Sequence, residues 1–175
     1  MTVFIDEALA RFNPEESGEA RRLFHGRGTC YPGYEHLVVN WFPPFLQVIN
    51  YRPAENFLEK ADLVELSKQL KVSEGLVLQS RDGRRIDNEV LLGQVPNKHV
   101  TQELGKKYWA KLLDNQNVGL FLDMGHVRRW LESRVKGKKV LNLFAYTCAF
   151  SVAALSYGAQ RVVNVDMSKN ALDWG

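Results

Sequence analysis

The stretch "KVLNLFAYTCAFSVAALSYGAQRVVNVD" near the C-terminus constrains the fold more than any other. An apolar run ends at a polar-aromatic turn. A helical segment, "AFSVAALSYG", follows and closes at Gly158, and a β-branched run then ends at Asp166. Two strands joined by a helical crossover pair in parallel, so the unit predicts an α/β protein. The carboxylate of Asp166 stands roughly 20 residues after the first turn, where such folds place an acceptor for ribose hydroxyls. A carboxylate suits that task because it only accepts and can take both protons of a vicinal diol. The turn lacks the G-x-G-x-x-G pattern whose glycines let a backbone approach a pyrophosphate. "NLFAYTCAF" therefore disfavours dinucleotides and nucleoside triphosphates, and suits a ligand with ribose and adenine but no phosphate.

Upstream, "FIDEALARF" and "PEESGEARRLFHGRG" read as two short helical segments, the second opened by Pro14 and stopped by "HGRG". "EHLVVNWFPPFLQVINYR" reads as two strands broken by Pro43-Pro44. "PAENFLEKADLVELSKQL" carries Phe57, Leu58, Ala61, Leu63, Val64, Leu66 and Leu70, mostly at helical spacing. Asp82-Gly83 marks a hairpin between extended runs. "KKYWAKLLDN" and "VGLFLDM" read as strands, and "GHVRRWLESRVKG" as a helix stopped by Gly137. The expected organisation is a helical segment over residues 1–35, a small α+β domain (strand-strand-helix-strand-strand) over 36–117, and an α/β sheet begun over 118–175.

With 45% hydrophobic and 25% charged residues, the composition is that of a globular protein. No apolar run approaches the roughly 20 residues that span a bilayer, and the N-terminus lacks a signal-peptide pattern. Only Cys30 and Cys148 occur, so no disulfide framework is implied and a reducing cytoplasm is the default location. No metal-ligand spacing surrounds His25 or His36. The net charge is +3, yet residues 128–139 hold six basic side chains against Glu132 alone. Such a run attracts phosphate backbones or simply forms a solvated helix face. "LFHGRG", preceded by Arg21-Arg22, could touch RNA phosphates, although its glycines more simply make a turn.

"VLNLFAYTCAFSVAALSYGAQRVVNVDMSKNAL", with "NVGLFLDM" before it, resembles class I methyltransferases that use S-adenosylmethionine (SAM). It is most similar to the bacterial 23S ribosomal RNA large-subunit group, which carries D/N-L-F-x-Y-T-x-x-F-S, V-x-x-V-D-x-S and an upstream G-x-F-L-D. The resemblance implies a Rossmann-like sheet after the small domain, SAM as cofactor and RNA as substrate. By it, Asp166 would bind the ribose, Met167 would lie against adenine, and Ser168 would sit beside it. Asn142, Phe144, Ala145, Tyr146 and Thr147 would wrap the methionine part and the ribose. Phe121 and Asp123 would approach from the preceding segment, Asp123 toward the ammonium group, while Arg128 would meet a carboxylate or be an ordinary helix residue. Asn142 replaces a frequent Asp, "DMG" replaces a frequent D-Q-R, and Cys148-Ala149 replaces a frequent Gly-Gly.

A methyltransferase sheet of that class has about seven strands, with the ligand crevice where strand order switches. The first two lie here. The expectation is thus an N-terminal fragment, inactive alone, with an incomplete cofactor site, no named catalytic residue, and open edges that favour self-association. Asp166 could instead cap the helix begun by "DMSKNAL". Cys148 reads as an apolar filler rather than a nucleophile. The competing expectation is a non-catalytic RNA-binding or interaction module, with the terminal unit vestigial.

Overall fold

The computed structural model describes residues 3–55, 58–71, 73–114 and 117–175. Phe57, counted above toward the amphipathic helix, lies outside them. The chain is a mixed α/β protein with a five-stranded sheet and two two-stranded sheets.

Helix α1 (Val3–Arg11) has Asp6 in its first turn and Arg11 in its last, both favourable to the helix dipole. It buries Phe4, Ile5 and Ala8. The second expected helical segment does not form. Pro14–Glu16 makes one 3-10 turn, in which the Asn13 side chain accepts from the Glu15 amide. The chain then extends as β1 (Arg21–His25), antiparallel to β2 (Leu37–Phe42). Consecutive Leu23 and Phe24 are both fully buried, across a bulge in the register. A lone surface helix would bury one stripe, whereas a covered strand buries neighbours on both sides; tertiary pairing here overrides local propensity.

Strand β3 (Phe45–Tyr51) follows Pro43-Pro44 and pairs antiparallel with β2, as expected. Helix α2 (Lys60–Leu70) then crosses over, so β4 (Gly75–Asp82) pairs with β3 in parallel. A tight Gly83-Arg84 turn leads to β5 (Arg85–Gly93), with Asp82 opposite Arg85. The sheet order is β1-β2-β3-β4-β5. One face carries Leu37, Val39, Trp41, Leu46, Val48, Leu76 and Leu78 and packs on α1 and α2. The opposite face helps build a second core, where Phe42, Phe45 and Val77 meet Tyr108, Ala110, Leu112, Val118 and Leu120.

The run "KKYWA" is a strand as expected: β7 (Lys106–Ala110) pairs with β6 (His99–Glu103). "VGLFLDM" is not one. Its residues form an extended strap fixed by a bond from the Lys111 amide to the Val118 carbonyl, and then a 3-10 turn over Leu122–Met124. Gly119 adopts a φ of 107°, a conformation closed to a regular strand and open to glycine. The following helix is shorter than its pattern: α3 (Gly125–Trp130) tightens into a 3-10 turn over Leu131–Ser133.

Strand β8 (Lys139–Leu143), helix α4 (Ala149–Ser156) and strand β9 (Arg161–Val165) form the parallel unit the sequence demands. Helix α5 (Lys169–Trp174) follows. One face of the strand pair meets α4. The other presents Leu141, Leu143, Val163 and Val165 at 61%, 55%, 42% and 48% exposure, a bare apolar surface.

Candidate cofactor site at the ends of β8 and β9

Leu143 and Val165 are register partners, so Phe144 and Asp166 leave the carboxyl ends of adjacent parallel strands together. The turn between β8 and α4 is built without glycine, yet Phe144, Tyr146 and Cys148 all have positive φ, between 47° and 58°. Left-handed backbone at a non-glycine residue costs of order 1 kcal/mol or more. The surroundings hold it in place. The Ala145 amide donates to the Val165 carbonyl at 3.1 Å, and the Tyr146 amide donates to Asp166 Oδ2 at 2.8 Å. The Ser168 amide donates to Asp166 Oδ1 at 2.8 Å. These N–H groups, Ser168's foremost and then Tyr146's, hold the half-buried Asp166 carboxyl below its usual range, so it is an anion at neutral pH. Each oxygen accepts a bond from a backbone amide and has a further lone pair.

Capping of α5 falls to Ser168, whose hydroxyl accepts from the Ala171 amide at 3.2 Å; Asp166 is not the cap. Its carboxylate thereby stays with the turn. Beside it, Phe144 is 88% and Met167 100% exposed, two large apolar side chains left in solvent at the strand ends.

Other residues of the motif serve the scaffold through their side chains. Asn142 Nδ2 donates to Ser151 Oγ at 2.9 Å and to Asn164 Oδ1 at 3.2 Å, locking β8 to α4 and β9. Tyr146 donates its hydroxyl to the Asn117 carbonyl at 3.1 Å, and Thr147 donates to the Gly119 carbonyl. The Tyr146 ring packs on Phe121 at 5.5 Å. The turn is therefore stapled to the strap over 117–121. Ala145 is buried. Cys148 is buried too, and burial first, then Asp166, pushes its thiol up, away from a nucleophilic thiolate.

Arg128 is committed elsewhere. It is fully buried, meets Glu103 through two bonds of 2.6 Å, and donates to the Phe121 carbonyl at 2.8 Å. Its carboxylate partner is thus internal. Residues so far apart in sequence carry no local signal of pairing. Asp123 lines a cavity of ≈ 280 Å³ against the five-stranded sheet, together with Arg22, His25, Arg27 and Arg81. Of that lining, the sequence pointed to Phe121 and Asp123 as cofactor candidates and to the Arg22–Arg27 stretch as a possible phosphate contact. A signal for the rest existed in the polar Asn40 and Gln47 inside strands otherwise apolar and buried.

This geometry has relatives. Residues 21–175 match the S-adenosylmethionine-dependent methyltransferase family, and the chain belongs to it. It is 42% identical over 177 residues to the ribosomal RNA large subunit methyltransferase K/L of Aeromonas hydrophila, covering 96% of this chain and 24% of that protein. A solved structure from Streptococcus mutans, described as a SAM-dependent methyltransferase, superposes with a TM-score of 0.79 at 29% identity. The match covers 98% of this chain and 45% of that one. Another solved structure, described as a methyltransferase complexed with SAH, matches with a TM-score of 0.78 at 29% identity, covering 98% of this chain and 46% of that one. The chain thus spans about a quarter of the K/L relative and under half of the solved chains. Among the described residues no helix is long and apolar enough to cross a membrane, and no acidic, His or Cys cluster could hold a metal.

Proposed function

We propose that this chain carries the first part of the cofactor site of a SAM-dependent methyltransferase whose substrate is RNA, ribosomal RNA by the name of its relative. The observation that carries this reading is Asp166, kept ionised by two backbone amides at the carboxyl ends of paired parallel strands. In this reading β8, α4 and β9 open a Rossmann-like sheet over residues 118–175. The small α+β domain over 36–117 precedes it, with β1 added at its edge.

The residues present fit the ligand. Asp166 offers its remaining lone pairs to the ribose hydroxyls, and exposed Phe144 and Met167 offer apolar surface to adenine. The backbone of Ala145, Tyr146 and Thr147 forms the wall of the turn, with Ser168 beside Asp166 and Phe121 closing from the strap. Asp123 supplies a negative charge for the ammonium group. Asn142 acts by fixing the two strands to each other. When bound, SAM supplies an electrophilic methyl on a sulfonium. The protein's part is then alignment of that methyl with an acceptor atom. Activity of the whole enzyme belongs to a length of protein well beyond the span matched here.

Calorimetric titration of the chain with SAM tests this. Saturable binding, weakened about tenfold or more in Asp166→Ala, is the expected result, since hydrogen bonds to a charged group contribute about 1.5–3 kcal/mol. Absence of SAM binding, with salt-sensitive RNA binding retained, would favour the non-catalytic RNA-binding reading instead.

A further inference from the structure

The cavity beside the strap has a polarity that its hydrogen bonds fix. Arg22 Nε donates to Asn40 Oδ1 at 3.1 Å. A guanidinium only donates, so that Asn40 atom is the amide oxygen. Asn40 Nδ2 must then donate to Gln47 Oε1, at 3.1 Å. This leaves Gln47 Nε2 as the donor at the end of this chain of amides. Gln47 is fully buried, lines the cavity, and its Nε2 has no partner among the described residues. A buried amide donor without a partner costs about 1–3 kcal/mol, which a ligand acceptor would recover.

The charged groups around it are unbalanced. Arg22, Arg27 and Arg81 line the same cavity, with Asp123 the one carboxylate among the lining residues. Arg27 lies over the Tyr51 ring at 4.6 Å, and Arg81 bonds Gln79 Oε1 at 2.6 Å, so two guanidiniums are held in place at the rim. Burial, and then Arg22 and Arg27, push the His25 imidazole down, while Asp123 opposes them; the local field is positive. Planar guanidinium forks match the oxygens of a phosphate. The volume sits at the lower edge of the roughly 300–1,000 Å³ of small-molecule sites. The strap residues that wall the cavity, Asn117 and Gly119 among them, also receive the Tyr146 and Thr147 hydroxyls. Cavity and candidate cofactor turn thus share one partition.

We propose that this cavity receives a nucleotide of single-stranded RNA, its phosphate among Arg22, Arg27 and Arg81 and an acceptor on its base or sugar at the Gln47 amide. This rests on the methyltransferase reading for the identity of the nucleic acid. The arginines of "ARRLFHGRG" then have a function, while its glycines make the turn: a Cβ on Gly26 would come within 1.7 Å of the Tyr34 carbonyl oxygen.

Fluorescence anisotropy with a labelled, mixed-sequence RNA 12-mer, at two salt concentrations, tests it on the chain itself. Arg27→Ala changes an exposed residue and so preserves the fold. It should weaken binding about fivefold and reduce the salt slope by roughly one ion. Gln47→Leu removes the donor at similar shape, together with the acceptor of Asn40 Nδ2, and should weaken binding about threefold or more with the slope unchanged. Lys138→Ala/Lys139→Ala, in the basic run outside the cavity, should bind like the parent. No saturable RNA binding by the parent chain, or parent-like binding by Arg27→Ala, would overturn the proposal. Asp166→Ala separates the two readings: it should weaken SAM binding about tenfold or more and leave the anisotropy curve in place. Loss of the cofactor reading therefore shows in calorimetry, and loss of the cavity reading in anisotropy.

Discussion

The five-stranded sheet and the β8–β9 pair are built from similar β-branched and leucine-rich strands, yet they end in opposite conditions. Helices α1 and α2 cover one face of the first, and the strap with the β6–β7 hairpin covers the other, so β2 is buried along its whole length. The second has α4 on one face and solvent on the other, where Leu141, Leu143, Val163 and Val165 stay exposed. Parallel strands of that composition belong inside a sheet covered on both sides. The difference separates two tasks within one chain. The first region stabilises itself, whereas the second holds a turn and a carboxylate in fixed geometry and leaves its apolar face for contact. Self-association through that face is the expected behaviour of the chain in isolation.

The contrast is sharpest for side chains of like chemistry. Trp41→Ala removes an indole that is 1% exposed, stacks edge-on with Phe12 at 5.5 Å and donates to the Ser17 carbonyl at 2.7 Å. It should cost about 3–5 kcal/mol in urea unfolding. Equal losses for Trp41→Ala and Leu141→Ala would erase the distinction between the regions.

The buried ion pair between α3 and β6 comes next. Arg128→Ala strands Glu103 in the interior, for an expected cost of about 3 kcal/mol or more. The double variant Arg128→Met/Glu103→Leu should recover most of that loss in the same assay. If the single variant unfolds like the parent, the pair does not anchor α3 to β6.

A smaller effect concerns pH. Burial lowers the pKa of His25, His36 and His99. Each binds its proton more weakly in the folded state, so their contribution is present above about pH 6.5 and lost as pH falls through the folded values. Urea midpoints should decline from pH 7 toward pH 5. His99→Gln should flatten part of that decline, whereas a flat profile in the parent would contradict the burial.

Smallest in stability is the bare face. Leu143→Lys/Val163→Lys should change unfolding free energy by less than about 0.5 kcal/mol per site, yet reduce self-association in sedimentation velocity. An unaltered sedimentation profile would place the association elsewhere.

The β8-turn-α4-β9 unit was legible because its determinants are local: two apolar runs, Gly158, and a carboxylate at the second strand's end. Strand β1 was not, because Leu23 and Phe24 acquire their environment only by pairing with β2. Residues 117–121 have strand composition, and only the backbone at Gly119 diverts them into a strap. The place of Asp166 at the end of β9 was readable from the sequence. That Ser168, not Asp166, caps α5 depends on the turn's amides reaching the carboxylate first. The commitments of Arg128 to Glu103 and of Asn40 to Gln47 arise between separate elements, so no periodicity announces them.

In the proposed reading the ligand site lies at the ends of β8 and β9 and is organised by Asp166. Backbone amide NMR of the chain titrated with SAH tests it most directly. Saturable shifts are expected at the amides of Tyr146, Met167 and Ser168, displaced to about tenfold higher SAH or more in Asp166→Ala. Shifts confined to the arginine-lined cavity, or none at the Asp166 turn at saturating SAH, would contradict it.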